Sequence, residues 1–106
     1  MRRAEVIYRP EAAADLRQIL AAIAELSGSD IVARRYVDRI IARCDKIGDA
    51  PQSGRSRDDL SPGLRIVPFE RTAVIAYRVT DIVEISNVFY RGRDYETLYR
   101  PNDNRA

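Results

Sequence analysis

The sequence predicts an α+β fold, in which an N-terminal strand and an antiparallel helical hairpin precede a small antiparallel sheet with a C-terminal three-stranded meander. Two observations predict it. Two segments in the first half of the chain repeat apolar residues at three- and four-residue intervals, whereas three short runs in the second half are rich in β-branched and aromatic residues. Because the hairpin and the meander each have an apolar face, stacking them in two layers buries both.

The first strand is predicted over residues 4–9 and ends at Pro10. The proline ring disfavours a helical Arg9 but suits the first position of a helix. An amphipathic helix is therefore predicted over residues 11–27. Its apolar face consists of Leu16, Ile19, Leu20, Ile23 and Leu26.

The second helix follows a short corner. Gly28 is predicted to close the first helix in the left-handed conformation, and Ser29 or Asp30 to cap the second, while Gly48 and Pro51 supply its stop signal. Its apolar face consists of Ala33, Tyr36, Val37, Ile40, Ile41, Cys44 and Ile47. Since Cys44 falls on this face, we expect a buried, inert thiol.

The second half begins with a loop, predicted over residues 51–63 from its Pro, Gly and Ser content. The three strands are predicted over residues 64–69, 72–79 and 82–90. Their two-residue connections require antiparallel hairpins. We expect the N-terminal strand at an edge of the sheet, and Pro68 indicates that its own strand is bulged or lies at an edge.

The length of 106 residues predicts one domain over residues 1–106, with residues 101–106 as a frayed tail. No apolar run reaches the roughly 20 residues needed to cross a bilayer, and the N-terminus lacks the pattern of a secretory signal. A single cysteine fits a reducing compartment, so we expect a cytoplasmic protein. The net charge of +2 does not by itself indicate a nucleic-acid partner.

The composition excludes several kinds of chemistry. The chain contains no histidine, which removes Ser-His-Asp and Cys-His catalysis and the commonest metal ligand. One cysteine cannot form a thiolate zinc site, and no glycine-rich phosphate-binding motif occurs, so we expect neither a metal nor a cofactor. Asp58 and Asp59 are interpreted as a solvated charge cluster, and Asp94 with Glu96 as a weaker candidate acid pair.

Two groups of residues are candidates for binding a target. Arg35, Arg39 and Arg43 recur every four residues along the second helix and could face an acidic partner, although the acidic residues between them favour a plain solvated face. The second group follows the last strand and contains Arg91, Arg93 and Tyr95. Its guanidinium groups could contact phosphate and stack on bases, or Arg93 could simply pair with the neighbouring Asp94.

Five segments, in this order, resemble the ParE/RelE toxin superfamily. They are the strand-proline-helix start at Tyr8–Leu16, the Pro-x-x-Gly-Arg loop at Pro51–Arg55, the strand Leu64–Phe69, the meander through Ala76–Val79 and Val83–Ile85, and the Gly-x-Arg-Asp end at Arg91–Tyr95. The resemblance covers about residues 4–99. It implies the toxin of a type II toxin–antitoxin pair, which a cognate, ParD-like antitoxin wraps and blocks.

The resemblance leaves three functions open. ParE-like members poison DNA gyrase, whereas RelE-like members cleave messenger RNA on the ribosome, and a degenerate member would only bind its antitoxin. The long hairpin and the Pro-x-x-Gly-Arg loop favour the ParE-like branch, and hence a toxin that is not an enzyme.

If the chain is instead a RelE-like endoribonuclease, the resemblance places its catalytic groups on arginines and C-terminal tyrosines. These would be Arg65, Arg71, Arg91 or Arg93, and Tyr95 or Tyr99. The arginines would stabilise the phosphoryl transition state. The lysines of the family's nucleases are missing, however, and without histidine no general base has a pKa near neutrality.

Overall fold

The structure is a computed structural model that describes residues 3–91 and 95–99. Its elements are β1 (Val6–Tyr8), α1 (Pro10–Ser27), α2 (Asp30–Ile47), β2 (Arg55–Ser56), β3 (Arg65–Phe69), β4 (Ala73–Val79), β5 (Val83–Tyr90) and α3 (Tyr95–Tyr99). The hairpin of α1 and α2 covers one face of a five-stranded sheet with the order β1-β5-β4-β3-β2. The predicted α+β architecture is confirmed.

The sheet is mixed rather than antiparallel. The meander of β3, β4 and β5 is antiparallel as predicted, and β1 lies at an edge as expected. However, β1 pairs in parallel with β5, with Val6 opposite Val83, so the prediction of a wholly antiparallel sheet was wrong. The direction of so short a strand is set by tertiary packing, because β1 runs directly into α1, which lies over β5.

The opposite edge is formed by β2, which was not predicted because it lies inside the polar segment 51–63. Its two residues pair only with Arg65 and Ile66 of β3. The strand of Pro68, β3, is thus an inner strand, but it forms the edge of the sheet beyond Ile66, where Pro68 is exposed. The bulge lies in β5 instead, where Ala76 pairs with Asn87 and Tyr77 with Ile85. Ser86 is therefore the extra residue of the bulge.

The corner between α1 and α2 is built as predicted. Gly28 has φ 68° and its N–H donates to Ala24 O, and the Ser29 hydroxyl accepts from the N–H of Val32 at 3.2 Å. Gly48 ends α2 for another reason, because its φ of −60° is ordinary. A Cβ at Gly48 would lie 2.6 Å from Ala4 O, so the glycine permits the N-terminal segment to pass close by.

The main core lies between the hairpin and the sheet. Its fully buried members include Ala12, Ala33, Ile40, Cys44, Ile47, Ile75, Tyr77, Val83 and Ile85. Leu26 and Ile41 were predicted on the apolar faces but are 67% and 41% exposed. Leu26 lies at the tip of the hairpin, where burial stops at Ile23 and resumes only at Ala33, and Ile41 lies on the flank of its helix.

A second, smaller cluster covers the other face of the sheet. It consists of Leu60, Leu64, Ile66, Ala76 and Phe89, with α3 packed against it through Tyr95 and Tyr99. Neither α3 nor this cluster was predicted. The Arg57 guanidinium fixes α3, because it donates to Glu96 at 3.1 Å and to the Tyr95 hydroxyl at 3.1 Å while also pairing with Asp59 at 2.8 Å.

Candidate functional site

Three elements bring arginine and tyrosine side chains together at the end of the sheet where β3 turns into β4 and β5 ends. We call this the arginine–tyrosine patch. It consists of Tyr36 and Arg39 from α2, Glu70 and Arg71 from the β3–β4 turn, and Tyr90 and Arg91 from the end of β5.

Tyr36 is the fixed centre of the patch. Its ring meets those of Phe69 and Tyr90 edge to face, with centroid distances of 5.7 and 5.8 Å, and its hydroxyl lies 2.5 Å from Thr72 Oγ1. Burial raises the pKa of Tyr36, so the phenol stays neutral at physiological pH. The patch is thus a rigid surface supported by the core.

Arg39 stacks on this centre and is held by Glu70. Its guanidinium carbon lies 5.4 Å from the centroid of Tyr36, and Nε and Nη2 donate to the two Glu70 carboxylate oxygens at 2.9 and 3.1 Å. The same hydrogen bonding lowers the pKa of Glu70 and raises that of Arg39. This bidentate pair orients Arg39 but also neutralises its charge.

Arg71 and Arg91 carry the exposed charge of the patch, and both have backbones in the left-handed region. The φ angles are 48° at Glu70, 59° at Arg71 and 59° at Arg91, although none of these residues is glycine. The Arg91 N–H donates to Thr72 O at 2.8 Å, and its guanidinium lies 5.8 Å from the Tyr90 ring centroid. Such non-glycine conformations cost about 1–3 kcal/mol each and concentrate at functional sites.

The chemistry of the patch suits binding. Three guanidinium groups and one carboxylate give a local charge of +2, and two of the guanidinium groups, those of Arg39 and Arg91, lie over tyrosine rings. Guanidinium groups bind carboxylates and phosphates through paired hydrogen bonds, and they stack on planar groups. Nothing in the patch can act as a general base near neutral pH, because its only carboxylate is already paired.

Comparison with known proteins identifies the family. A family profile described as "ParE toxin of type II toxin-antitoxin system, parDE" matches residues 6–95, most of the chain. This chain belongs to the ParE toxin family. No curated protein matches it significantly.

A solved structure, "Chromosomal ParDE TA system from P. aeruginosa", has the same fold as this member of the ParE toxin family. It superposes with a TM-score of 0.73 at 23% sequence identity and covers 83% of this chain and 96% of that chain. The parts of the chain that the structure describes include no helix that is long and apolar enough to span a membrane.

The ParE toxin fold gathers only part of the predicted target-binding residues into the patch. Arg39 and Arg91 lie in it, and so does Arg71, which was a candidate only for the nuclease reading. Arg35 is exposed and Arg43 half-buried elsewhere on α2. Arg93, like Asp94, lies outside the described residues.

Two patch residues, Tyr36 and Glu70, were not predicted as candidate site residues. Tyr36 was assigned to the core and Glu70 to a connection between strands, whereas Tyr90 directly precedes the predicted candidate Arg91. Glu70 is 31 positions from Arg39, so no local spacing indicates their pair. The only sequence signal for the patch was the presence of aromatic residues at the ends of elements predicted to be buried.

The remaining nuclease candidates lie apart from the patch. Arg65 donates from Nη1 to the backbone oxygens of Gln52 and Gly54, at 3.1 and 2.7 Å, and so supports the loop before β2. Tyr95 packs on Phe89, with ring centroids 5.8 Å apart, on the sheet face opposite the hairpin.

Tyr99 lies on that second face too. Its hydroxyl donates to Asn87 Oδ1 at 2.5 Å, and burial raises its pKa to about 12. Tyr99 is therefore a structural phenol in this arrangement rather than one positioned beside Arg71 and Arg91.

The acidic pair Asp58 and Asp59 and the thiol of Cys44 have contacts that stabilise the fold. Asp59 is exposed and pairs with Arg57, and Asp58 accepts from Ser56 and from the N–H of Gly63, which together stabilise the loop. Cys44 is fully buried, as predicted. In residues 3–91 and 95–99 no three acidic or cysteine side chains are close enough to hold a metal ion.

Proposed function

We propose that this ParE-family chain is the toxin of a type II pair, that a cognate ParD-like antitoxin neutralises it, and that it inhibits DNA gyrase by binding. The observation that carries the proposal is the arginine–tyrosine patch. Arg71 and Arg91 are both exposed on backbone conformations that cost free energy, and Arg91 lies over the Tyr90 ring, which packs on Tyr36. A cytoplasmic location follows from this proposal, because gyrase acts on DNA in that compartment.

The positions of the nuclease candidates favour a binding function over RNA cleavage. Cleavage needs a base within hydrogen-bond reach of the attacking hydroxyl, together with groups that stabilise the phosphoryl charge. Arg65 is engaged with backbone oxygens, and Tyr99 is packed on the opposite side of the sheet from the hairpin. Among the candidates that the structure describes, only Arg71 and Arg91 lie at the same end of the sheet, where the Arg91 N–H bonds to Thr72 O beside Arg71. Two guanidinium groups alone bind anions without removing a proton.

Antitoxin binding is supported by the open surfaces of the sheet and hairpin. Both edge strands are short, so β5 beyond Ile85 and β3 beyond Ile66 extend past their neighbours. Large apolar side chains are also exposed at the hairpin tip, namely Leu26, Ile31 and Val32. Open strand edges and apolar patches are surfaces that partner proteins cover.

A supercoiling assay with purified gyrase tests the proposed target. The wild-type chain should stall supercoiling and accumulate cleaved DNA. Combining Arg71→Gln with Arg91→Gln should weaken inhibition at least tenfold, because both exposed charges of the patch are lost. Arg55→Gln, in β2 at the other end of β3, is the matched control and should inhibit like the wild type.

Other outcomes would redirect the proposal. Unaffected supercoiling at a large excess of toxin removes gyrase as the target, and equal inhibition by the double variant removes the patch as the contact surface. Messages shortened in a translating extract would instead support the ribonuclease. Normal growth of cells expressing the chain alone would indicate a degenerate, antitoxin-binding member.

A further inference from the structure

An open cavity of about 450 Å³ lies away from the patch, between the first turns of α1, the bulge of β5 and α3. Its walls are Arg9, Glu11, Ala14, Asp15, Arg78, Ser86, Asn87, Leu98 and Tyr99. We call it the Arg78 cavity. Neither the family match nor the proposed gyrase contact assigns it a role.

Arg78 contributes a cation whose acceptors are all neutral. Its Nε donates to Pro62 O and its Nη1 to Ser86 Oγ, both at 3.3 Å, and Nη2 donates to Ser61 Oγ. The guanidinium also lies 5.9 Å from the centroid of the Tyr99 ring. Within residues 3–91 and 95–99 it makes no ion pair, although it is only partly exposed.

The carboxylates at and near the cavity have partners other than Arg78. Asp15 is buried and accepts from Asn87 Nδ2 at 3.0 Å and from the N–H of Val88 at 2.9 Å. Glu11 and Glu84 both lie within 3.5 Å of Arg9. Arg78 is therefore a guanidinium at the cavity wall that pairs directly with no carboxylate in the part of the chain that the structure describes.

The bulge of β5 places two polar side chains at the cavity in succession. Ser86 is its extra residue and accepts from Arg78, while Asn87 contacts both Asp15 and Tyr99. A regular strand would send two consecutive side chains to opposite faces. Bulges occur often beside functional sites because they re-aim side chains in this way.

We infer that the Arg78 cavity binds a single carboxylate, supplied by an aspartate or glutamate side chain of the bound antitoxin. A planar carboxylate matches the guanidinium. Glu11 and Asp15 on the same walls repel any anion, and they repel a phosphate more strongly than a carboxylate because the phosphate carries more charge. Leu98 is 53% exposed at the cavity and offers an apolar contact for the peptide around the acidic residue. The choice of partner rests on the proposed function.

The cavity can be tested on the free chain with small probes. N-acetyl-aspartate N-methylamide, its neutral asparagine counterpart and inorganic phosphate are titrated while NMR follows the Ser86 and Asn87 amides and the Arg78 Nε–H. The aspartate probe should give saturable shifts, the asparagine probe none, and phosphate should bind at least fivefold more weakly. Arg78→Gln should abolish the shifts, whereas Arg55→Gln should retain them.

A second variant covers the case in which Arg78→Gln does not fold, and two results would overturn the site or its ligand. If Arg78→Gln unfolds, Ser86→Ala removes one hydroxyl at the cavity and should weaken aspartate binding severalfold in a folded chain. Equal binding of the asparagine probe, or no saturable shift, overturns the site. Tighter binding of phosphate overturns the choice of an acidic side chain.

The antitoxin complex provides the second arm. Arg78→Gln should lower the affinity of the chain for its antitoxin at least tenfold, and one acid-to-amide change in the antitoxin should cause the same loss only when Arg78 is present. A complex that forms equally well with Arg78→Gln overturns the inference and leaves the proposed function intact. Absence of any complex would contradict the proposed function, while the free-chain titration still decides the cavity.

Discussion

The buried side chain of Tyr77 explains why the Pro51–Arg55 loop has glycine at position 54. The side chain is fully buried, and its hydroxyl accepts from the N–H of Gly54 and donates to Pro51 O, both at 2.8 Å. A Cβ at Gly54 would overlap this hydroxyl, so only glycine allows the approach. The Pro-x-x-Gly-Arg motif is thus bonded to β4 through the Tyr77 hydroxyl.

Tyr77→Phe should therefore destabilise the chain by about 1–3 kcal/mol, because it leaves a buried N–H without its acceptor. Urea unfolding of the variant measures the change. Tyr90→Phe is the matched control, since the Tyr90 hydroxyl makes no hydrogen bond to any residue that the structure describes, and it should shift stability by less than about 0.5 kcal/mol. Similar losses in both variants would contradict this account.

Cys44 links stability to alkaline pH. Burial raises the pKa of its thiol from 9.0 to about 11, with a hydrogen bond from Tyr8 acting in the opposite direction. Because the folded pKa lies above the unfolded one, this contribution is complete below pH 9 and is lost as pH rises through 11. The stability advantage of the wild type over Cys44→Ala should shrink by on the order of 2 kcal/mol between pH 8 and 11. If the stabilities of the wild type and Cys44→Ala change in parallel with pH, the thiol does not make this contribution.

At the scale of elements, the β3–β4 turn departs from the usual chemistry of a two-residue hairpin. Its two central residues are Glu70 and Arg71, both with positive φ, and the N–H of Thr72 donates to Phe69 O at 2.9 Å. Turns of this kind favour Asn-Gly, because glycine adopts positive φ without strain. The turn therefore lowers the stability of the chain, but it places the Glu70 carboxylate beside Arg39 and leaves the Arg71 guanidinium exposed.

Arg71→Gly should raise the free energy of unfolding by about 0.5–1 kcal/mol, since glycine relieves the strain but loses more backbone entropy on folding. The same variant should be less toxic. Arg71→Ala separates the two effects, because it removes the guanidinium but keeps the strain, and should lose toxicity without gaining stability. Chemical denaturation measures the stability of each variant, and growth inhibition measures its toxicity. If Arg71→Gly is less stable than the wild type, the turn is not strained.

The helices and their corner could be predicted because their signals are local. Apolar spacing marks α1 and α2, and Gly28 and Ser29 act within one turn of their own positions. The two-residue β2 and the five-residue α3 are too short for any period to appear. The parallel pairing of β1 with β5 joins residues some 77 positions apart, as from Val6 to Val83, and depends on packing rather than composition.

For the whole molecule, the fold places the predicted candidate residues in different parts of the surface. Arg91 and Tyr95 are four positions apart, yet Arg91 lies with Tyr90 beside the hairpin and Tyr95 lies on the other face. The strand end and α3 separate them, and no sequence spacing indicates this. The partners that assemble the patch, Tyr36 and Glu70, come from distant segments and become visible only after folding.

Co-expression with the antitoxin should increase the soluble yield of the chain severalfold. Without the antitoxin, self-association is favoured by the open strand edges and by three exposed apolar side chains, those of Leu26, Ile31 and Val32. Yield and size-exclusion profiles, with and without the antitoxin, measure the effect. An abundant, well-behaved free monomer would count against a partner that covers these surfaces.

The extra residue at Ser86 also bears on how this chain could have diverged. Val83 and Ile85 precede it and Val88 follows it, all in the hairpin-side core, so removing Ser86 would restore ordinary alternation and leave every core side chain where it is. A loss of one codon would therefore erase the polar corner beside Arg78 while the hydrophobic packing persisted. If the Arg78 cavity holds an antitoxin carboxylate as proposed, relatives with and without this insertion would share one architecture but differ in which antitoxins they accept.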